Sequence, residues 1–339
     1  MQIKLDMDRF LHFQFNDIGF NIYADENILK SLNCFWCLTM DVGYDSSFEN
    51  DWSIKIVLMN EMSDSTLVDY DGKTIVYYIS KVSPINRINS FIREFITKIT
   101  LAKGYIWLHA SACNILGKGC IIMGPKGNGK TTHLLNAYFN FGAEVIGNDQ
   151  IPVRINNGHI VAYRWRPDIK FSPKTIHLVG ENSISIQDNQ VDRFLWMPDP
   201  KQYSVIDFED LSFRRKQKIK PFHYTPIRMS AKREFQISKL VFLDEQSSPT
   251  WCELNFEQAS WYLHHALGAD KENLTPCKLQ NWNKHVPYWN ERISIERLDT
   301  DAEFIADQTI NTMLEDLKIF RLYNRVDLDN SNIGSIIES

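Results

Sequence analysis

The chain has 339 residues, of which 44 % are apolar and 23 % charged, which predicts two domains or one elaborated domain around a sizeable core. A formal net charge of −5 argues against a dedicated nucleic-acid binder. The opening MQIKLDMDRFLHF has no uninterrupted apolar run of the signal-peptide kind, no stretch reaches about 18 consecutive apolar residues, and six cysteines are too few for a disulfide framework in so long a chain, so a cytoplasmic protein with reduced thiols and no membrane span is expected.

The first 85 residues read as a β-rich N-terminal domain. FQFNDIGFNIYA, WSIKIVLMN and KTIVYYISK each alternate like a strand and are rich in β-branched and aromatic residues, and a small antiparallel sheet is the expectation. In SPINRINSFIREFITKITLAKG, Ile88, Phe91, Ile92, Phe95, Ile96 and Ile99 recur at helical spacing, with Arg87, Arg93, Glu94 and Lys98 on the other side. This predicts a connecting helix over 86–104, stopped by Gly104.

From residue 105 to 325 the pattern is α/β. YIWLHASACNILGKGCIIMG holds two apolar runs around Gly117-Lys118-Gly119, the signature of a hairpin. TTHLLNAYFNFG reads as a helix ended by Gly142, AEVIGNDQIPV as the next strand, and INNGHIVAYRW as its return through Asn157-Gly158. Residues 165 to 235 are rich in proline and predict loops with short strands. ISKLVFLDE reads as a buried strand. NFEQASWYLHHALGAD and DAEFIADQTINTMLEDLKIF read as helices, the latter with Phe304, Ile305, Ile310, Met313, Leu314 and Leu317 on its apolar side. The tail 326–339 is expected to fray.

The strongest chemical signal is GPKGNGKTT, Gly124 to Thr132. It fits a glycine, four residues, a second glycine, a lysine and a serine or threonine, set between an apolar strand and an apolar helix. Such a loop cradles phosphates on backbone N–H groups, adds a lysine for the β- and γ-phosphates, and offers a hydroxyl to Mg²⁺. Gly124, Gly127, Asn128, Gly129, Lys130, Thr131 and Thr132 are therefore the candidate ATP-binding residues.

Asn148 and Asp149 follow the strand after the cradle helix. Were that strand to run back beside the cradle strand, its C-terminal end would lie next to the γ-phosphate. A carboxylate there can order Mg²⁺ or accept the proton of an attacking hydroxyl. Asp149 has that chemistry, whereas Asn148 can position a group but not take its proton. The bland alternative is an Asx turn. His109 shares a face with Trp107 and Ser111 by alternation, either as a core histidine or as part of the site.

Arg214 to Arg233 holds eight basic residues and no acid. It is a candidate dock for an acidic peptide, a lid over phosphates, or a solvated loop. Cys34 and Cys37 lack a second pair of zinc-like spacing. His264 and His265, being adjacent on a helix, point about 100° apart, so a shared metal is not expected. Trp251, Trp261, Trp282 and Trp289 are candidates for a peptide groove or for the core.

Taken together, LHASACNILGKGCIIMGPKGNGKTT, a helix, and FGAEVIGNDQIPV resemble the catalytic core of HPr kinase/phosphorylase and its relatives. The motifs match over Trp107 to Val153. The layout from about residue 80 to 320 looks closer to the lasso-peptide kinases, which phosphorylate a serine of a ribosomally made precursor peptide. The resemblance implies an α/β fold with a P-loop nucleotide-binding core of the HPr kinase type on a mixed sheet, preceded by the β-rich domain. It implies ATP and Mg²⁺ as cofactors, and a peptide or small-protein substrate. It matches His109 to the histidine before the cradle, Gly124, Gly127, Gly129, Lys130 and Thr131 to the cradle, and Asn148-Asp149 to a pair of acids. Metal would fall to Thr131 and Asp149, and catalysis to Asp149, Asn148, His109 and Lys130. This chain has Asn148 where the family has its first aspartate, so either Asp149 takes the base role or positioning dominates transfer. A small-molecule kinase and a non-catalytic ATP sensor are the alternatives, and an oligomer is left open.

Overall fold

The computed structural model describes residues 10–36, 41–43, 52–59, 65–69, 72–81, 84–124, 128–165, 169–171, 222–224, 233–244, 251–264, 302–323 and 336. The chain divides into two units, one built on Met1–Ile106 with Asp270–Ile305, the other on Trp107–Ala269 with Ala306–Ser339. No helix among the described residues is long and apolar enough to cross a membrane.

In the first unit, β1 (Phe10–Phe15) and β2 (Ile18–Tyr23) form a hairpin in which Phe15 faces Ile18. The expected single strand FQFNDIGFNIYA is thus two, broken at Asn16-Asp17, where Asn16 adopts φ 55°. Asparagine tolerates that left-handed conformation better than most residues. Next comes a helix absent from the β-rich expectation, α1 (Glu26–Trp36), which buries Ile28, Leu29 and Leu32. The strands β3 (Asp41–Gly43), β4 (Trp52–Met59), β5 (Ser65–Asp69) and β6 (Thr74–Ser80) complete a sheet of order β3-β1-β2-β4-β6-β5. It is mixed rather than antiparallel, because β2–β4 and β4–β6 run parallel. Parallel neighbours need a long crossover, and α1 lies in the one between β2 and β4.

The helix α2 (Pro84–Ala102) covers the predicted segment, and its six periodic apolar residues are all buried. Phe95 meets the rings of Phe20 and Trp52 edge-on, and Phe91 stacks on Tyr77 at 4.4 Å between centroids. Glu94 and Lys98 depart from the expectation. Rather than facing solvent they are 1 % and 4 % exposed, and they pair with each other one helical turn apart at 3.4 Å. Burial pushes the Glu94 carboxyl up to about 7 against the pull of the Lys98 charge, and burial likewise pushes Lys98 down.

The second unit carries β7 (Ile106–Leu108), β8 (Ala110–Ile115), β9 (Lys118–Met123), α3 (Lys130–Phe141), β10 (Glu144–Gly147), β11 (Ile151–Asn156) and β12 (His159–Tyr163). A separate two-stranded sheet, β13 (Ile169–Phe171) with β14 (Phe222–Tyr224), joins the α3 core through the buried Ile169. Then come β15 (Glu234–Asp244), β16 (Trp251–Glu253), α4 (Phe256–Leu263), α5 (Ala302–Asp316), which belongs to this unit from Ala306 on, and β17 (Lys318–Tyr323). The large sheet has the order β10-β8-β9-β15-β12-β11-β7, with β17 beside β15 and β16. Since β7 and β8 are separated by His109 alone yet lie toward opposite ends of this order, the sheet bends back on itself.

Both predicted hairpins form. Leu116-Gly117 joins β8 to β9 with φ of 50° and 82°, and Asn157-Gly158 joins β11 to β12 with φ of 51° and 79°. Two left-handed residues in succession match the twist of the flanking strands. As expected, Gly142 ends α3 at φ 68°. The next N–H, of Ala143, reaches back to the Ala137 carbonyl, satisfying an orphan acceptor. On one face of the sheet, α3 buries Leu134, Leu135, Ala137 and Tyr138 against Cys113, Ile115, Cys120, Ile122, Val241 and Leu243.

Two expectations are corrected here. The end of DAEFIADQTINTMLEDLKIF is not helical, because KIF opens β17, which pairs parallel with β15. The periodic pattern ran on because Ile319 and Phe320 are buried in the sheet instead. Within the tail, the described residue Ile336 is not frayed: it is fully buried in the α3 core and its carbonyl accepts a hydrogen bond from Lys239 Nζ at 2.6 Å.

Candidate functional site

The site grows from the end of β9, an apolar strand buried from Gly119 to Met123. Gly124 follows at φ 153° against Leu243 of β15; a Cβ there would lie 3.0 Å from Leu243 Cβ and 3.1 Å from its carbonyl oxygen. Pro125, Lys126 and Gly127 lie outside the described residues. Asn128 is buried and its Nδ2 donates to the Leu243 carbonyl at 3.5 Å. Gly129, left-handed at φ 84°, is the N-cap of α3, and no side chain caps the helix there. Lys130, the first helical residue, is 8 % exposed, and its Nζ turns back to donate to the Gly124 carbonyl at 2.6 Å. An ammonium and a helix N-terminus uncapped by any side chain thus sit together, an arrangement suited to anions.

The second half of the site comes from the other side of β8. β10 was expected beside the cradle strand, but β8 lies between them. Both β9 and β10 pair antiparallel with β8, so they run the same way and end at one edge, where β8 begins. Asn148 therefore reaches the same edge as Gly124. AEVIGNDQIPV is also two strands, since β10 stops at Gly147 and β11 pairs with β12. The glycine at the break has a local cause. Gly147 bridges to Trp165, and a Cβ there would lie 2.6 Å from the Trp165 carbonyl oxygen.

Three polar side chains converge there. Asn148 is 5 % exposed. Its Oδ1 accepts from Ser111 Oγ at 2.7 Å and from Thr131 Oγ1 at 3.2 Å. Its Nδ2 is buried without a hydrogen-bond partner. An unpaired buried N–H group costs roughly 1–3 kcal/mol, and buried polar groups in folded proteins are overwhelmingly paired. The orphaned amide therefore marks a place built for a polar guest. Asp149 comes next, exposed and left-handed at φ 69°.

Of the residues singled out from sequence, the structure gathers Gly124, Asn128, Gly129, Lys130, Thr131 and Asn148. Thr132 is half-buried in the first turn of α3. His109 is exposed, in the bend between β7 and β8. The expected continuous face Trp107–His109–Ser111 is broken at that bend, since β7 and β8 are different strands, and Trp107 packs edge-on against Trp165 instead. The basic stretch Arg214–Arg233 lies outside the described residues save Phe222–Tyr224 and Arg233, as do Cys37, His265, Trp282 and Trp289. Cys34 falls in α1. Trp251 packs on Phe320, whereas Trp261 is 60 % exposed. Among the described residues no group of three or more His, Cys, Asp or Glu could hold a metal. Among the described residues the oxygen donors expected for a metal are the Thr131 hydroxyl and the Asp149 carboxylate, and a hard cation such as Mg²⁺ asks for only one or two carboxylates when phosphates supply the rest.

Sequence reasoning missed two residues. Ser111 was assigned only a face of a strand, because its partner Asn148 is 37 residues away. Asp244 ends β15, which runs parallel beside β9, so it lies at the edge where ligands of open α/β sheets bind. The signal was present, an apolar strand KLVFL closing on an acid. Asp244 Oδ2 accepts from the Tyr262 hydroxyl at 2.8 Å, and Arg321 Nη1 donates to that hydroxyl at 3.4 Å. Burial pushes the Tyr262 phenol up.

No family model matches the chain, and no curated protein matches it. Among solved structures it is similar to the HPr(Ser) kinase/phosphatase from Coxiella burnetii, at 12 % identity and a TM-score of 0.24, over 44 % of this chain and 76 % of that one. At that score the likeness carries no argument for fold or activity.

Proposed function

We propose that this chain is an ATP- and Mg²⁺-dependent kinase of the HPr kinase type. It transfers the γ-phosphate to a serine or threonine hydroxyl of a peptide or small protein, such as a ribosomally made precursor peptide. The observation that carries the reading is the convergence of Lys130, the N-terminus of α3 and the orphaned Asn148 amide at one sheet edge. In this reading Gly124 to Thr132 forms a P-loop. Its backbone N–H groups hold the phosphate chain, and Lys130 leaves the Gly124 carbonyl for the β- and γ-oxygens. Thr131 and Asp149 would hold Mg²⁺, whose charge would offset that of the transferring group. The acceptor oxygen attacks the γ-phosphorus as the bond to the β–γ bridging oxygen breaks. ADP leaves, and the hydroxyl proton passes to Asp149 where that carboxylate serves the acceptor rather than the metal. His109 and Asn148 would position the acceptor.

The test is mass spectrometry of serine- and threonine-bearing peptides, including those encoded beside this chain, after incubation with MgATP. The expected result is the gain of one phosphate on a hydroxyl, abolished in Asp149→Asn. Near-normal transfer by that variant would remove Asp149 from its role. One observation favours a second reading, a nucleotide sensor without transfer. The residue buried at the site is an asparagine, which takes no proton. That reading predicts ATP binding with no phosphate appearing on any acceptor.

A further inference from the structure

We infer that Ser111 is a positioning residue that aims the Asn148 amide at the terminal phosphate, so that the Ser111–Asn148 pair makes the site read a nucleoside triphosphate over a diphosphate. This rests on the nucleotide-binding reading above and adds a residue and a selectivity to it.

Two hydroxyls from different elements, Ser111 on β8 and Thr131 on α3, meet one oxygen of Asn148 at 2.7 and 3.2 Å. Each hydroxyl has a single proton to donate. With both given to Oδ1, that end of the amide is taken up. The NH₂ end is left buried and without a partner, and in this scheme it is the end that meets the ligand. A pure donor fixed in that way suits an oxygen anion. Through its oxygen end Asn148 is tied to the first turn of α3 at Thr131, the residue after Lys130.

The geometry also selects which phosphate. The loop and helix N–H groups cradle the inner phosphates. Asn148 comes from a strand end outside that loop, at the same sheet edge, and in this scheme the terminal one falls to it. Ser111 is 1 % exposed and touches no ligand in this scheme; it acts through Asn148. The position also reverses a simple expectation. An aspartate at 148 would keep both hydroxyl bonds but turn a negative oxygen toward a negative phosphate.

The experiment is calorimetric titration of MgATP and MgADP into the full chain, its Asn148→Asp, Ser111→Ala and Ser111→Thr variants, with thermal melts alongside. Asn148→Asp is expected to bind MgATP about 10- to 100-fold more weakly, the loss that follows when a hydrogen bond to a charged group disappears. MgADP should stay within about twofold, which also reports an intact fold. Ser111→Ala should show the same selective loss, about 3- to 10-fold, and Ser111→Thr should restore it, because the hydroxyl is the working part. Equal loss of ATP and ADP affinity, or no loss, refutes the inference while leaving nucleotide binding intact. Tighter MgATP binding by Asn148→Asp also refutes it, since Oδ1 rather than Nδ2 would then face the ligand, toward the metal. Failure of the unaltered chain to bind either nucleotide refutes the kinase reading, and this inference with it.

Discussion

Lys130→Met separates the role of the ammonium from the role of its stem. In the structure the Lys130 stem is buried and Nζ makes one short bond, to the Gly124 carbonyl at 2.6 Å. Methionine keeps much of the apolar contact and loses the donor. The Gly124 hydrogen bond that the folded chain forfeits is worth about 1 kcal/mol, part of which is offset because a charge need no longer be held at a site only 8 % exposed. Stability should therefore fall by about 1 kcal/mol or less in urea unfolding. Ligand affinity should fall much more. A charge-assisted bond from lysine to phosphate is worth about 1.5–3 kcal/mol, so calorimetry should record MgATP binding about 10- to 100-fold weaker, the α3 N-terminus supplying what remains. The reasoning fails if Lys130→Met binds MgATP within about twofold of the unaltered chain. It also fails if the variant loses about 3 kcal/mol or more of stability, because Lys130 would then be a structural lysine.

Three further outcomes are expected. Burial raises the Glu94 carboxyl from 4.5 to about 7, so the folded state binds its proton more tightly than the unfolded state does. Its contribution is complete below about pH 4.5 and is lost as pH rises through 7; urea melts at pH 5 and pH 8 should show the unaltered chain losing about 3 kcal/mol relative to Glu94→Gln, and parallel profiles would sink the claim. Gly147→Ala drives a methyl into the Trp165 carbonyl 2.6 Å away; a cost of about 1–3 kcal/mol in urea should accompany weaker MgATP binding as Asn148 is displaced, and unchanged values for both would show that the bridge does not hold the site. Ile336→Ala empties a fully buried position and should cost about 2–5 kcal/mol, whereas a frayed tail would give no change.

Much of the framework is local and was legible. The six apolar positions of α2 announce a helix because side chains three and four apart share a face. Gly142 and the Asn157-Gly158 turn announce chain reversals because few other residues accept positive φ cheaply. The loop after β9 is legible for the same reason, its glycines and lysine being adjacent in the chain. The misses are of another kind. Local alternation does not say that β2, β4 and β6 run parallel, or that β8 separates β10 from β9. It does not say that KIF leaves α5 to lie beside β15. Nor does helical spacing tell that Glu94 and Lys98 are buried, since a charged pair four apart reads as a solvated face until something covers it.

By itself, then, the sequence determined most of the elements, their turns and a glycine-lysine pattern of the phosphate-cradle kind after β9, all properties of residues within a few positions of one another. Only the tertiary structure decided what surrounds that loop. Ser111 and Thr131 reach Asn148 across gaps of 37 and 17 residues, because two strands antiparallel to a third must end at the edge where the third begins. That pairing is set by long-range burial rather than by any local pattern, and it leaves one amide nitrogen buried, unpaired and beside the helix N-terminus.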